Sequence, residues 1–158
     1  MPNADHPASN PLIPPPLVVA VLAFVMWALH RRVEYGGFES QLQPLIAVLL
    51  LVAGLALMGA AAAAIVSAGT TINPLRPSRT SRLVTSGVFR LSRNPIYLGD
   101  LLILLALAVW LGNLFNILPV GVFVWYINRY QIAPEERALA RLFGASYVDY
   151  CARVRRWL

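Results

Sequence analysis

A chain of 158 residues that is 58% hydrophobic and 13% charged, with a mean hydropathy of +0.64, cannot clothe a folded core in a hydrated surface. Soluble domains carry about a quarter charged residues, so lipid must be part of the solvent, and the length allows one domain without a separate soluble catalytic module. The net charge of +6 comes entirely from arginine, placed between apolar runs, which points to a membrane surface or an anionic ligand and excludes nucleic acid. The lone Cys151 excludes an intrachain disulfide and a multi-cysteine metal site. His6 and His30 lie too far apart to support a zinc site, and no metal is expected.

In chain order, residues 1–16 read as a polar, proline-rich tail without Lys or Arg. The first apolar run, Leu17 to Leu29, has neither a positive flank before it nor a small-residue cleavage site after it, so it reads as a retained helix. It is short against the roughly 20 residues that cross a bilayer. Pro44 to Gly69 is the clearest span, and Ala56, Ala60, Ala64 and Ala68 form a small-residue face suited to helix packing. Residues 17–69 are thus the amino-terminal membrane helices. Residues 70–158 form the rest of the domain, with spans from about Ile96 to Leu111 and Leu114 to Ile127. Gly112-Asn113 between them predicts an antiparallel hairpin, with Pro119 a kink in the fourth span.

Arginine placement predicts the orientation. Arg76, Arg79, Arg82, Arg90 and Arg93 lie between the second and third spans, and Arg129, Arg137, Arg141, Arg153, Arg155 and Arg156 follow the fourth. Four spans put both groups on one side, which the positive-inside rule makes cytoplasmic, against Arg31 and Arg32 on the other. Beyond Ile127, Pro134 suits a helix start, Glu135 and Glu136 favour its positive end, and Gly144 ends it. Ser146 and Asp149 have capping-box spacing for a last helix to about Arg156. The fold class predicted is all-α and integral to the membrane, with about four transmembrane helices and two short amphipathic carboxy-terminal helices on the cytoplasmic face.

Two polar clusters stand on that face. In Ser92-Arg93-Asn94-Pro95-Ile96-Tyr97-Leu98-Gly99-Asp100, Asn94 can cap and Pro95 can begin a helix whose amino terminus, beside Arg93, suits a carboxylate or phosphate. Gly99 can admit a ligand close to the backbone, and Asp100 puts a charge inside an apolar helix. The plainer alternative is an interfacial anchor at Arg93 and an ordinary helix start. Glu135-Glu136 with Arg137 and Arg141 equally fits dipole-favouring acids and i,i+4 pairs on a wet face. Tyr126, Tyr130, Tyr147 and Tyr150 suit an interfacial aromatic belt better than a ligand platform.

The blocks Thr70-Thr71, Asn73-Pro74, Leu83 to Arg90, Ser92 to Gly99, and Glu135-Glu136 through Phe143-Gly144, Tyr147, Tyr150, Val154 and Arg156-Trp157 resemble the integral membrane methyltransferases. That group includes isoprenylcysteine carboxyl methyltransferases and phospholipid methyltransferases. The resemblance implies a methyltransferase that uses S-adenosylmethionine (SAM), with a lipophilic or lipid-linked acceptor entering from the bilayer. It also implies that Arg93, Asn94, Tyr97, Leu98 and Gly99 line the cofactor, that Glu135 or Glu136 holds its polar end, and that Arg156 completes the site. It assigns no catalytic residue. Asn94 stands where many relatives have His, which removes a titrating group. A sterol-reductase-like enzyme using NADPH and a non-catalytic membrane scaffold are the rival readings, and an inner bacterial membrane is the expected location.

Overall fold

The structure is a computed structural model that describes residues 13–69 and 82–158. Residues 1–12 of the predicted tail, and Thr70-Thr71, Asn73-Pro74, Arg76 and Arg79, lie outside the described residues. The described residues hold six α-helices and no β-strand: α1 Pro15–Arg32, α2 Gln43–Ser67, α3 Pro95–Leu111, α4 Ile117–Ile127, α5 Ala133–Phe143 and α6 Ala145–Arg153. Proline occupies an early turn of α1, α2, α3 and α5, where its missing N–H leaves no helical partner unsatisfied.

Helices α1 and α2 are long and apolar enough to cross a membrane, yet only 22% and 17% of their most apolar windows are buried. The core helix of a soluble protein would be mostly buried. Instead Leu17, Val21, Phe24 and Trp27 of α1, and Leu45, Leu49, Val52 and Leu55 of α2, face outwards. Apolar side chains exposed over the length of two such helices require an apolar solvent. Helix α3 is apolar but shorter, at 17 residues.

Helix α3 is central, which explains why apolar residues surround it rather than form a stripe. On one side Tyr97 and Leu104 join Val18, Leu22 and Met26 of α1 and Val120, Phe123 and Ile127 of α4 in the main core. On the other, α3 lies closely along α2. A Cβ on Gly54 would come within 2.8 Å of the Gly99 carbonyl oxygen, and one on Gly99 would meet Met58 and the Gly54 carbonyl. Two facing glycines therefore set the α2–α3 separation. The small-residue face that packs is Ala47, Gly54 and Ala61, the buried residues of α2. It is not the predicted Ala56-Ala60-Ala64-Ala68 face, of which Ala56 and Ala60 are exposed. Equally small faces are available to this helix, and the position of Gly99 selects one.

The turn after α3 is braced by the loop joining α1 and α2. Gly112 ends α3 in the left-handed region (φ +60°), where a Cβ would strike the Phe38 carbonyl oxygen at 2.5 Å. Gln43 Nε2 donates to the Val109 carbonyl (2.8 Å), Asn113 Nδ2 donates to the Val33 carbonyl (3.2 Å), and Phe38 N donates to the Gly112 carbonyl (2.8 Å).

Three sequence expectations need correction here. The fourth span begins as a short 3-10 turn, Leu114–Asn116, so Pro119 falls in the first turn of α4 and need not kink it. The chain does not break after Ile127. It passes through one π-helical segment, Asn128–Ile132, directly into α5. Pro134, which has no N–H to return to the preceding turn, follows that segment, where a widened turn accommodates the missing bond. Finally, α6 starts from Gly144 with no side-chain cap, so the Ser146–Asp149 capping box does not form, and the helix stops at Arg153 instead of reaching Arg156.

We expect Gly54→Leu to destabilise the protein by about 1–3 kcal/mol, the usual cost of overpacking a tight contact. Ala56→Leu on the exposed face should change stability by less than about 0.5 kcal/mol. Thermal or denaturant unfolding in lipid or detergent measures both, and equal effects would contradict the assigned interface.

Candidate functional site

The site is assembled where the start of α3 meets α5, α6 and the segment after α6. Val154 leaves helical geometry for extended backbone (φ −124°, ψ 130°), and the chain then lies across the α3 amino terminus. Arg93 N donates to the Arg155 carbonyl at 3.1 Å. Asn94 Nδ2 and Ser92 Oγ donate to the Arg156 carbonyl at 3.0 and 3.3 Å, and Trp157 Nε1 donates to Asn128 Oδ1 at 3.3 Å. These bonds form a carboxy-terminal strap. Asn94 occupies the predicted N-cap position, but its side chain ties down the strap rather than capping α3.

Glu136 is the hub beneath the strap. Its Oε1 lies 3.2 Å from Arg93 and accepts from Arg156 Nε at 3.1 Å, while its Oε2 accepts from Arg156 at 2.6 Å. The two-pronged contact with Arg156 is the planar fork arrangement that makes such pairs strong and directional. Those bonds raise the Arg156 guanidinium further above its ordinary range, against partial desolvation. Glu136 pairs across the site with α3 and the strap, not along α5 with Arg137 or Arg141, both of which are exposed. The second amino group of Arg93 contacts the Cys151 thiol. Burial first, and a hydrogen bond with Cys151 second, push the Tyr147 hydroxyl well above the usual phenol range. Arg93 Nε is buried with no hydrogen-bond partner among the described residues.

Glu135, next in sequence, has a separate environment. Tyr97 donates its hydroxyl to Glu135 Oε1 at 2.6 Å. Burial pushes the Glu135 carboxyl up to about 7; the Tyr97 hydrogen bond opposes the rise and the charge of Glu136 adds to it. Adjacent carboxylates on one helix thus become unlike groups, one locked between arginines and the other poised near neutrality. Asp100, one turn further into α3, is buried at 8% exposure.

Of the residues singled out from the sequence, the structure joins Arg93, Glu136 and Arg156 in one ionic network, Asn94 to the strap, and Tyr97 to Glu135. Leu98 is buried. The free space beside Gly99 is taken by Met58 and the Gly54 backbone of α2. Tyr147 and Tyr150 do not form an aromatic belt. With Val154 they make a second small core, packed by Leu83, Leu139, Phe143 and Cys151, and Tyr150 donates to the Phe89 carbonyl at 2.7 Å. Sequence reasoning placed Ser92 and Tyr147 in the motif blocks without giving them a role, and missed Asn128 and Cys151 as parts of this assembly. Ser92 is fully buried in it. Among the described residues no group of three or more His, Cys, Asp or Glu could hold a metal ion.

Replacing Glu136 with Gln leaves two arginines without their shared acceptor and should loosen the strap and α6. The expected result is at least a fivefold faster reaction of Cys151 with a maleimide. An unchanged rate would show that the ionic hub does not hold this end of the chain.

Residues 42–146 match the family model described as phospholipid methyltransferase. Over 63 residues, 40% of this chain and 100% of the relative, the sequence is 51% identical to an uncharacterized protein of Haemophilus influenzae. Over 94 residues, 58% of this chain and 48% of the relative, it is 35% identical to protein-S-isoprenylcysteine O-methyltransferase B of Arabidopsis thaliana. It is 31% identical to the protein-S-isoprenylcysteine O-methyltransferase of Schizosaccharomyces pombe over 94 residues, 58% of this chain and 40% of the relative. The chain therefore spans half or less of the length of these named methyltransferases. No solved structure matches it significantly.

Proposed function

The chain belongs to the phospholipid methyltransferase family, and from that premise we propose that it is an integral membrane methyltransferase that transfers a methyl group from SAM to a lipophilic acceptor. The observation that carries the cofactor assignment is the division of charge at the α3–α5 junction. SAM has a carboxylate, an ammonium and a sulfonium. The buried, unpartnered Nε of Arg93 suits the carboxylate, and Glu135, with only one oxygen engaged by Tyr97, suits the positive groups. Asn94, Leu98, Glu136 and Arg156 complete the proposed surroundings, whereas Gly99 packs against α2 and is not among them. Glu136 and Arg156 act chiefly by holding Arg93 and the strap in place.

SAM supplies an already activated methyl group, so the protein's task is to align the acceptor and keep water out, which can contribute several kcal/mol. Tyr97 orients Glu135, the strap roofs the site, and the apolar flank of α3 borders the bilayer side. An NADPH-dependent reductase is disfavoured by the same geometry. A dinucleotide bearing several phosphates needs free cations, whereas Arg93 and Arg156 both engage Glu136. A scaffold reading gives no reason for a buried carboxyl poised near neutrality.

We further place α1 to α4 across the membrane, a bacterial inner membrane, with α5, α6 and both termini on the cytoplasmic side. Arg129, Arg137, Arg141, Arg153 and Arg155, all exposed, support that orientation. SAM then enters from the cytosol and the acceptor from the bilayer. A membrane-impermeant thiol reagent should label Cys151 in inverted membrane vesicles and not in intact cells, after denatured controls confirm reactivity. The reverse pattern would overturn the orientation.

Purified protein should bind SAM, and membranes given methyl-labelled SAM should incorporate label into a lipid-extractable fraction. The sign of the pH dependence follows from Glu135. Below about pH 7 its carboxyl is protonated and does not attract a cation, so SAM affinity should rise between pH 5.5 and 7 by up to about tenfold per unit and then level off. Glu135→Gln should flatten this dependence and weaken binding by about tenfold at pH 7.5. Tight NADPH binding without SAM binding would sink the proposal.

A further inference from the structure

Where the carboxy-terminal strap ends, it meets the start of the π-helical segment, and the two bring together positive charge left unpaired among the described residues. Trp157 Nε1 donates to Asn128 Oδ1 at 3.3 Å. Arg129 follows Asn128, and Arg155 stands two residues before Trp157, at most about 7 Å of chain away. Both arginines are exposed, and neither makes a hydrogen bond or ion pair through its side chain among the described residues. The nearby glutamates are engaged elsewhere: Glu135 accepts from Tyr97, and Glu136 is held between Arg93 and Arg156. Two free guanidinium groups on long side chains, within reach of a common partner, suit an anion with several oxygens such as a phosphate.

The level of this pair in the fold and the surface beside it narrow that anion to a lipid headgroup. Arg129 lies two residues beyond the end of α4 at Ile127. The Arg155 carbonyl accepts from Arg93 N, two residues before α3 begins at Pro95. Both arginines thus stand where apolar helices end, which in the membrane placement proposed above is the headgroup level. Leu118, Val122 and Trp125 of α4 are exposed at helical spacing and lead towards Arg129 along one flank. A Cβ on Gly121 would meet nothing within 4 Å, so the flank is open there. Trp125 and Tyr130 touch edge to face beside the charge, with ring centroids 5.7 Å apart, as amphipathic aromatics do at an interface. An acyl chain along the flank and a phosphate at the arginines account for both halves of this surface.

We propose that Arg129 and Arg155 together bind the phosphate of an anionic phospholipid, which clamps the strap over the start of α3. The lipid is a bound partner and not the methyl acceptor. The inference rests on the membrane placement and is independent of methyl transfer. Arg129 belongs to the continuous helical path from α4 into α5, whereas Arg155 belongs to the strap. A headgroup shared between them therefore adds a bridge in parallel with the Trp157–Asn128 bond. Near an anionic leaflet each arginine contributes about fivefold in affinity. Closure of the strap then follows the charge of the surrounding lipid.

The test incorporates the full chain, without SAM, into nanodiscs of phosphatidylcholine alone or with about 30% phosphatidylglycerol, an anionic lipid without an amine. A chain that stays soluble and folded outside lipid would overturn the membrane placement and this inference together. Hydrogen exchange of the Arg93 amide, which is donated to the Arg155 carbonyl, reports strap closure. Phosphatidylglycerol should slow that exchange at least fivefold in the wild type, and about 1 M salt should abolish the slowing. Arg129→Gln/Arg155→Gln should lose the lipid dependence. Its exchange in phosphatidylcholine should stay within twofold of the wild type, which shows that the fold and the strap's own bonds persist. Arg137→Gln/Arg141→Gln, which removes the same charge from exposed positions of α5, should keep the dependence. Exchange indifferent to phosphatidylglycerol, a dependence that survives Arg129→Gln/Arg155→Gln, or one lost equally in Arg137→Gln/Arg141→Gln would overturn the inference. So would a rise of more than twofold for Arg129→Gln/Arg155→Gln in phosphatidylcholine, because the arginines would then hold the strap without an anionic lipid. Each of these last outcomes leaves the methyltransferase reading in place.

Discussion

Glu136 ties together three pieces of chain at one point, the start of α3, helix α5 and the carboxy-terminal strap. A carboxylate shared by Arg93 at the start of α3 and Arg156 in the strap joins residues far apart in sequence at a single point. Taking those charges out of water is unfavourable, and only the multiple short contacts offset it. The arrangement therefore specifies geometry more than it adds stability. It places the strap across α3, brings Cys151 and Tyr147 against Arg93, and leaves Glu135, one residue earlier, facing Tyr97 in a different electrostatic setting.

The apolar helices give that hub its rigid base. Helix α3 packs against α1 and α4 on one side and against α2 on the other, with the Gly54–Gly99 contact setting the closest approach. Its first turns also carry Tyr97 and Asp100, and Arg93 stands just before its N-cap. Packing inside the bundle and polar chemistry at its end are consequently coupled through one helix. A shift of α3 against α2 would change the Tyr97–Glu135 contact, which depends on α3 and α5 keeping their separation.

Much of this was legible in the sequence because bilayer physics writes long, simple signals. The apolar runs gave α2 and α3 to within two residues and α1 to within three at each end, since each begins at or beside a proline and α3 ends at Gly112. The site motifs were legible as a set through family resemblance, and the structure brings Arg93, Glu136 and Arg156 together as one unit. Local signals failed where two outcomes satisfy the same local rule. Ser146 and Asp149 fit a capping box, yet Gly144 begins α6; tyrosines suited to an interface instead fill a small core. Pro134 marked a new helix correctly but gave no sign that the preceding helix would run into it through a π-helical segment.

The sequence by itself determined that the chain is helical, needs lipid around it, and carries a polar face built from arginines and two adjacent glutamates. Composition and periodicity are sufficient there, because burial of apolar length in a bilayer depends little on partners. Only the tertiary structure decided that Glu136 is consumed by arginines while Glu135 and Asp100 remain without a cation among the described residues. Identical carboxylates acquire different roles from the charges and burial around them, and those are properties of residues distant in the chain.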